Sequence, residues 1–462
     1  LSEPDRCDCK SRTGPDNQAS PCLDLISIAF LRDLSGQSMK ITRITNGRII
    51  DPANKRDEVA DLWFADGKII AHQPGSETET IDASNLVVSP GLIDIHVHLR
   101  EPGQSHKETI ASATRAAAAG GFTSVVAMPN TSPAADSAAT IAWIKDKAAR
   151  TACVNVFTTG AITKGLKGEE LAPYGALVNA GVVALTDDGH CIQNHEVMRR
   201  AVEYAKMFGL VVMDHCQDYS LVGDGIMHEG EWSLRLGLPG WPRAGEEMIV
   251  ARNILLAEHL DSPIHCQHIS SGGSVRLIRD ARARGVKISG EVCPHHIALT
   301  DAGLASFDSN FKMNPPLRTE ADIVALIEGI ADGTLTILCS DHAPHAAYEK
   351  EVEIDHAPFG ITGLENELAI FHDILVHKRK AIDLPRLIAL YTSEPAALLK
   401  LDRGTLSTGA PADITLIDPS LDWTFDKNAS LSLSQNTPFH GHAWRGRAVR
   451  TIVSGETAWS LS

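Results

Sequence analysis

The sequence predicts an α/β protein: a (β/α)8 TIM-type barrel with a small β-sandwich domain built from both chain ends. Three observations predict it. Eight short, almost wholly apolar segments lie between Leu92 and Cys339 with helical patterns between them, as expected of a parallel sheet buried on both faces. Their combined span of roughly 250 residues suits one closed barrel. The stretches before Pro90 and after Gly404 instead show short strand patterns broken by turn residues, the mark of a small β sheet.

In chain order, residues 1–38 are rich in Ser, Asp, Pro and Cys. They read as a poorly ordered extension outside the fold, with 28–34 as a short helix of no assigned role. From Lys40 to Val88, strand candidates at 41–44, 49–50, 62–64 and 68–71 are separated by the turns Asn46-Gly47 and Asp66-Gly67. The eight barrel strands are expected at 92–97, 123–128, 153–159, 182–185, 210–213, 264–266, 287–292 and 335–339. Helices are expected at 107–119, 136–150, 195–208, 245–260 and 274–284. Near the C-terminus, 414–417 and 449–453 answer the N-terminal strands. The domain division is therefore an extension over 1–38, the N-terminal portion of the β-sandwich over 39–90, the barrel over 91–402 and the C-terminal portion of the sandwich over 403–462. A doubly wound open sheet is the alternative, but no Gly-x-Gly-x-x-Gly follows any of these strands.

Composition narrows the function classes. Hydrophobic content of 43% and charged content of 22% are those of an ordinary globular enzyme. A net charge of −16, with no basic stretch to offset it, argues against a nucleic-acid partner. An anionic small molecule stays compatible, because one Arg and bound metal ions can dominate a pocket. The nine cysteines are odd in number and lie mostly in apolar segments, which fits reduced, buried thiols in a cytoplasm. Cys7 and Cys9 lack companions for a metal site. No apolar run approaches the ~18 residues of a membrane span, and no charged-then-apolar leader opens the chain. The expected location is the cytoplasm, away from membranes.

The chemistry gathers where strands end. In the stretch from Ser89 to Gly103, His96 and His98 are two apart on a strand and present two imidazoles to one side. Arg100 follows, with a planar fork suited to a carboxylate. The other predicted strand ends carry Asn130, Asp187-Asp188, His215, His268, His295-His296 and Asp341. One such residue alone is more often a structural hydrogen-bonding group than a ligand. Four His and two Asp on one rim, however, supply the N and O donors of a binuclear divalent site with a bridging carboxylate. Two metals there would make hydroxide available at neutral pH and polarise a carbonyl. This points to metal-assisted hydrolysis and is nearly silent on substrate.

From about Met39 onward the chain resembles the amidohydrolase superfamily and, within it, the dihydroorotases of the bacterial class I type. The motifs are Gly91-Leu92-Ile93-Asp94-Ile95-His96-Val97-His98-Leu99-Arg100-Glu101-Pro102-Gly103, Ala127-Met128-Pro129-Asn130-Thr131, Leu185-Thr186-Asp187-Asp188-Gly189, Cys339-Ser340-Asp341-His342-Ala343-Pro344-His345 and Ala357-Pro358-Phe359-Gly360. The resemblance implies two Zn2+ per subunit, one held by His96, His98 and Asp341, the other by His215 and His268, with Asp188 bridging. Many relatives bridge with a carboxylated lysine, for which Lys164 or Lys167 would be the candidates. The Thr-Asp-Asp-Gly segment instead matches members that use Asp, with Asp187 as a supporting neighbour. His98, Arg100, Asn130, Asn314, His345, Phe359 and Gly360 would bind substrate, with Arg100 and Asn130, joined by Asn314, on its carboxylate.

The implied reaction is reversible hydrolysis of the cyclic amide of L-dihydroorotate to N-carbamoyl-L-aspartate, in de novo pyrimidine (UMP) biosynthesis. Hydroxide attacks the ring carbonyl, while Asp341 takes its proton and passes it to the departing nitrogen. Another cyclic amidohydrolase (dihydropyrimidinase, hydantoinase or allantoinase) is the alternative, against which Arg100 and Asp188 count. A non-catalytic scaffold of aspartate transcarbamoylase is a second alternative, although every ligand position here is filled. That transcarbamoylase and a second copy of the chain are the candidate protein partners. His295 and His296 fit no ligand slot and read as hydrogen-bonding support. Residues 310–318, with Pro315-Pro316, are a candidate loop closing over substrate.

Overall fold

Eight parallel strands follow one another in chain order around the central sheet of the computed structural model, which describes residues 41–71 and 79–461. The expectations for residues 1–38, with Cys7, Cys9 and the helix at 28–34, lie outside the described residues. The strands are Leu92–Val97, Phe122–Ala127, Asn155–Gly160, Ala184–Leu185, Val212–Asp214, Ile264–Cys266, Ile288–Val292 and Ile337–Leu338. The last returns to the first: Val97 bridges His342 in parallel, and His98 N donates to His342 O at 2.9 Å. The ring is thus the (β/α)8 barrel that the sequence predicts. Ile93, Ile95, Val126, Met128, Met213 and Ile337 fill its interior. Leu92, Val125, Leu185, Val212 and Ile264 form a second cluster with the helical residues Ile110, Ile141, Met198, Val250 and Val275.

Several strands are shorter than their apolar segments. The last two-residue strand sits inside a longer buried run, with Leu335 and Cys339 both fully buried. Apolar composition reports burial, whereas the strand is defined by its ladder of hydrogen bonds. Helix starts shift for a similar local reason. The helix expected from residue 107 begins at Ile110, because Thr109 and Ser112 form a capping box that fixes the first turn.

Both chain ends build the β domain. A six-stranded sheet runs in the order Glu456–Ser460, Ala443–Val453, Ile414–Thr424, Val87–Pro90, Arg48–Asp51, Arg56–Val59. Within it, Val87–Pro90 pairs antiparallel with residues from Ile414 to Ile417 and parallel with Arg48 and Ile49. A four-stranded sheet (Lys68–Ile70, Leu62–Ala65, Ile41–Thr45, Glu79–Asp82) packs with it around Ile44, Ile49, Phe64, Val88, Ile414 and Ile452. Gly91 joins this domain to the first barrel strand. Its N–H donates to Asp413 O at 2.8 Å, and a Cβ there would lie 2.0 Å from Thr123 Oγ1, so only glycine permits the approach.

Between the two longest strands, residues 425–442 form an arm whose Phe425 and Phe439 pack with Met227, Met313, Leu317 and Ile361. Met313 and Leu317 are buried, and Pro315 O accepts from His296 Nε2 at 3.0 Å. Residues 310–318, the candidate closing loop, are therefore packed into the rim, where their apolar side chains have a core to enter. Among the described residues, no helix is long and apolar enough to cross a membrane.

Candidate active site

The strand ends converge on one buried cluster. His96 Nε2 lies 3.2 Å from Asp188 Oδ1, while His98 Nε2 lies 3.4 Å from Asp188 Oδ2 and 3.0 Å from Asp341 Oδ1. On the other side, His215 Nδ1 and His268 Nε2 are each 3.6 Å from Asp188 Oδ1 and 2.8 Å from each other. Two groups of ligand atoms with metal-binding spacing result, His96/His98/Asp188 and Asp188/His215/His268, sharing one carboxylate. His96 Nε2 and Asp188 Oδ1 are buried with no hydrogen-bond partner. Converging lone pairs left unmatched in this way fit cations, since neutral imidazoles and carboxylates cannot satisfy one another there.

Three of the four imidazoles are aimed by the nitrogen they do not offer, whereas His268 Nδ1 is buried without a partner. Glu291 Oε1 accepts from His96 Nδ1 at 2.6 Å, and Asn130 Oδ1 from His98 Nδ1 at 2.9 Å. Gln217 Oε1 accepts from His215 Nε2 at 2.9 Å. Such outer acceptors fix the tautomer and leave the inner lone pair free. Glu291 also accepts from His265 Nε2 at 3.0 Å. Arg100, His268 and Asp341 have left-handed backbone with φ of 60°, 32° and 46°. Each costs about 1–3 kcal/mol and turns a side chain inward where the strand ladder stops. Asp94 steadies the joint, accepting from His96 N at 3.0 Å and Ser340 N at 3.3 Å.

The charges follow the geometry. Burial opposes ionisation of Asp188, but the imidazoles of His96, His215 and His268 gathered around it outweigh burial and hold its carboxyl well below the usual range. Asp341 is likewise buried, yet His96 and His98 keep it far on the ionised side. Both carboxylates are therefore acceptor-only groups near neutral pH.

A cavity of about 300 Å³ opens above the cluster. Lining it are His98, Arg100, Asn130, Asp188, His215, His268, Asn314, Asp341, His345, Phe359 and Gly360. His96 is fully buried beneath. Arg100 Nε donates to Pro344 O at 3.1 Å, and burial lowers the guanidinium to about 10, so it stays charged. It makes no carboxylate ion pair among the described residues. Its neighbour Glu101 is engaged elsewhere, accepting from Ile110 N at 2.8 Å. His345 Nε2 donates to Phe359 O at 2.8 Å, and its Nδ1 accepts from Lys107 Nζ at 3.3 Å. Burial, then Arg100 and Lys107, push that imidazole down to about 2, so His345 is a neutral orienting group. Asn314 Nδ2 donates to Gln217 Oε1 at 3.1 Å, tying the far wall to the His215 support.

Other sequence readings fare differently. Asp187 touches no cluster side chain. It accepts from Ile162 N at 2.7 Å and Thr163 N at 3.0 Å, holding the loop after the third strand. Lys164 is an exposed partner of Glu170. His342 turns away, its Nδ1 accepting from Gly363 N at 3.2 Å. His296 has the expected hydrogen bond, but His295 has none at either nitrogen. Sequence reasoning missed Glu291, Gln217 and Asn436. For Glu291 a signal existed, an acid next to the apolar end of a predicted barrel strand, which is costly to bury unless partnered.

A (β/α)8 barrel with paired His/Asp groups at its strand ends defines a metal-dependent hydrolase of the amidohydrolase class. Residues 85–274 match the family described as dihydro-orotase-like, and residues 247–458 match the amidohydrolase family. The dihydroorotase of Syntrophotalea carbinolica is 49% identical over 429 residues, covering 92% of this chain and all of that protein. That of Solibacter usitatus is 48% identical over 420 residues, covering 90% and 97%. The chain belongs to the dihydroorotase family of metal-dependent cyclic amidohydrolases. Among solved structures, L-hydantoinase from Arthrobacter aurescens matches with TM-score 0.81 at 22% identity, covering 91% of this chain and 97% of that one. Dihydropyrimidinase from Brevibacillus agri matches with TM-score 0.79 at 23% identity, covering 90% and 94%. These two share the fold.

Proposed function

We propose that the chain is a class I, bacterial-type dihydroorotase that interconverts L-dihydroorotate and N-carbamoyl-L-aspartate with two Zn2+ per subunit. The observation that carries it is Arg100, a buried guanidinium with no carboxylate partner among the described residues, lining the cavity above the shared His/Asp cluster. A substrate carboxylate would complete it. A neutral ring would leave it unmatched, at a cost of about 1.5–3 kcal/mol for each lost charge-assisted hydrogen bond. Against the hydantoinase-type alternative, this is the deciding group.

His96, His98 and Asp341 would hold one zinc, His215 and His268 the other, with Asp188 shared. Bound there, such a pair would supply the chemistry of a nucleophilic hydroxide at neutral pH and of carbonyl polarisation. Arg100, Asn130 and Asn314 fix the substrate carboxylate, and Asn130 can do so through its amide N–H groups because its oxygen is taken by His98. His345 holds the Phe359-Gly360 backbone against the ring. Asp341 then accepts the nucleophile's proton and delivers it to the ring nitrogen as the C–N bond breaks, acting first as base and then as acid.

The free described cysteines (Cys153, Cys191, Cys216, Cys266, Cys293 and Cys339) support a reducing, cytoplasmic location. Homodimerisation and association with aspartate transcarbamoylase follow from the resemblance, and are read from the mass of the protein alone and with the transferase added. The test of the reaction is ring opening by the zinc-loaded protein of L-dihydroorotate beside dihydrouracil, hydantoin and allantoin. Turnover confined to dihydroorotate is expected. Comparable turnover of the uncharged rings would move the reading to hydantoinase chemistry, and zinc-loaded protein without turnover to the scaffold.

A further inference from the structure

Just past the seventh barrel strand, Cys293, His295 and His296 bring a thiol sulfur and two imidazole nitrogens within 4.8 Å of one another. The three residues are 0%, 1% and 2% exposed. None is a ligand in the proposed hydrolytic centre. The hydrogen bonding around them is incomplete in a specific way. His296 Nε2 donates to Pro315 O at 3.0 Å, which fixes the tautomer and leaves a lone pair on Nδ1, and that Nδ1 has no partner. His295 has no partner at either nitrogen. Buried imidazoles normally find hydrogen bonds, because desolvating them without return is costly. A backbone acceptor on the outer nitrogen with an unmatched inner nitrogen is how proteins aim a histidine at a metal. Cys339 Sγ lies 3.6 Å from Cys293 Sγ, with either sulfur able to donate, and burial pushes the Cys293 thiol up to about 12, so its proton leaves only when a cation takes its place.

We propose that Cys293 Sγ, one ring nitrogen of His295 and Nδ1 of His296 form a separate site for a thiophilic divalent cation of the zinc class. The donor set of one thiolate and two neutral imidazoles is that of zinc and cobalt, with a fourth position open. Binding displaces one proton, from the Cys293 thiol, and breaks no other bond. Both histidines already stand in the ligating form, burial holding His295 down at about 4 and His296 well below its usual range. The site is distinct in chemistry from the hydrolytic centre, whose proposed ligands are all nitrogen and oxygen.

That distinction supplies the test. The full-length protein, stripped of metal, is titrated with Co2+ and followed by absorbance. Nitrogen and oxygen ligands give only weak visible bands, whereas a cobalt–thiolate bond adds a strong near-ultraviolet charge-transfer band. The expected result is that band, saturating with a cobalt equivalent beyond those of the hydrolytic centre, absent in Cys293→Ser and kept in Asp188→Asn. Should Cys293→Ser not fold, His296→Gln, which keeps the thiol, is expected to weaken the cobalt affinity read from the band at least tenfold. No band at saturating cobalt would overturn the proposal and leave ordered water as the occupant. A band that persists in Cys293→Ser, or an unchanged titration in His296→Gln, would also overturn it. None of these readouts depends on which ring the enzyme opens.

Discussion

The floor and the wall of the cavity are held by different means. The floor is the set of His96, His98, Asp188, His215, His268 and Asp341 at barrel strand ends, and its supports come from the same barrel. Glu291 on the seventh strand fixes His96, and Gln217 just after the fifth fixes His215. The wall, with Arg100, His345, Phe359 and Gly360, stands on loops and is fastened both by the C-terminal arm and by Lys350 in the connection after the last barrel strand. Asn436, on the C-terminal arm, donates to Ala343 O at 3.0 Å and Gly360 O at 3.1 Å and accepts from His345 N at 2.9 Å. Lys350 Nζ donates to Pro358 O at 2.8 Å and Gly360 O at 3.2 Å. The metal-facing groups are thus fixed by the closed sheet, and the substrate-facing groups by side chains outside the sheet, one of which, Asn436, is remote in sequence. Changes to the first should alter metal and chemistry, and changes to the second substrate affinity.

The largest effect is expected at the floor. Asp341→Asn should lower kcat by about 10³-fold or more through loss of proton transfer, measured as steady-state ring opening with metal content checked on the same sample. Near-normal kcat would remove Asp341 from its role. Glu291→Gln should weaken metal binding by roughly 10–100-fold, read by competition with a chelator, while KM at saturating zinc changes little. A large KM change with unaltered metal affinity would blur the division between floor and wall. On the wall, Arg100→Met should raise the KM for dihydroorotate by roughly 10–100-fold, the value of one or two charge-assisted hydrogen bonds, with metal content unchanged. The smallest effect is expected at Asn436→Ala: a several-fold rise in KM and a loss of about 1–3 kcal/mol of stability from the backbone groups left unmatched. Metal content and the pH profile of kcat should stay as in the parent, and a fall in metal content instead would tie the arm to the floor.

Much of the floor was legible because period and position carry it. His96 and His98 two apart on an apolar strand must share a side, and the fourth, fifth, sixth and eighth apolar runs lead into Asp188, His215, His268 and Asp341. Asn314, by contrast, entered only through family resemblance, and Asn436 not at all. It sits in a polar stretch after Leu433 and 91 residues from the amide of His345 that it accepts from, so no local pattern marks it. His295 shows the same limit. The hydrogen-bonding role expected of its neighbour His296 is present, but only the packed structure reveals that His295 has nothing to bond.

The sequence by itself determined the alternation of strand and helix, the identity of the groups at the strand ends and the β-rich character of both chain ends, since these follow from backbone period and side-chain chemistry. The tertiary structure decided which strands end early, that residues 310–318 are packed, and which remote side chains hold the pocket wall. Those depend on contacts between segments far apart in the chain, formed when the barrel closes and the C-terminal arm is laid across its rim.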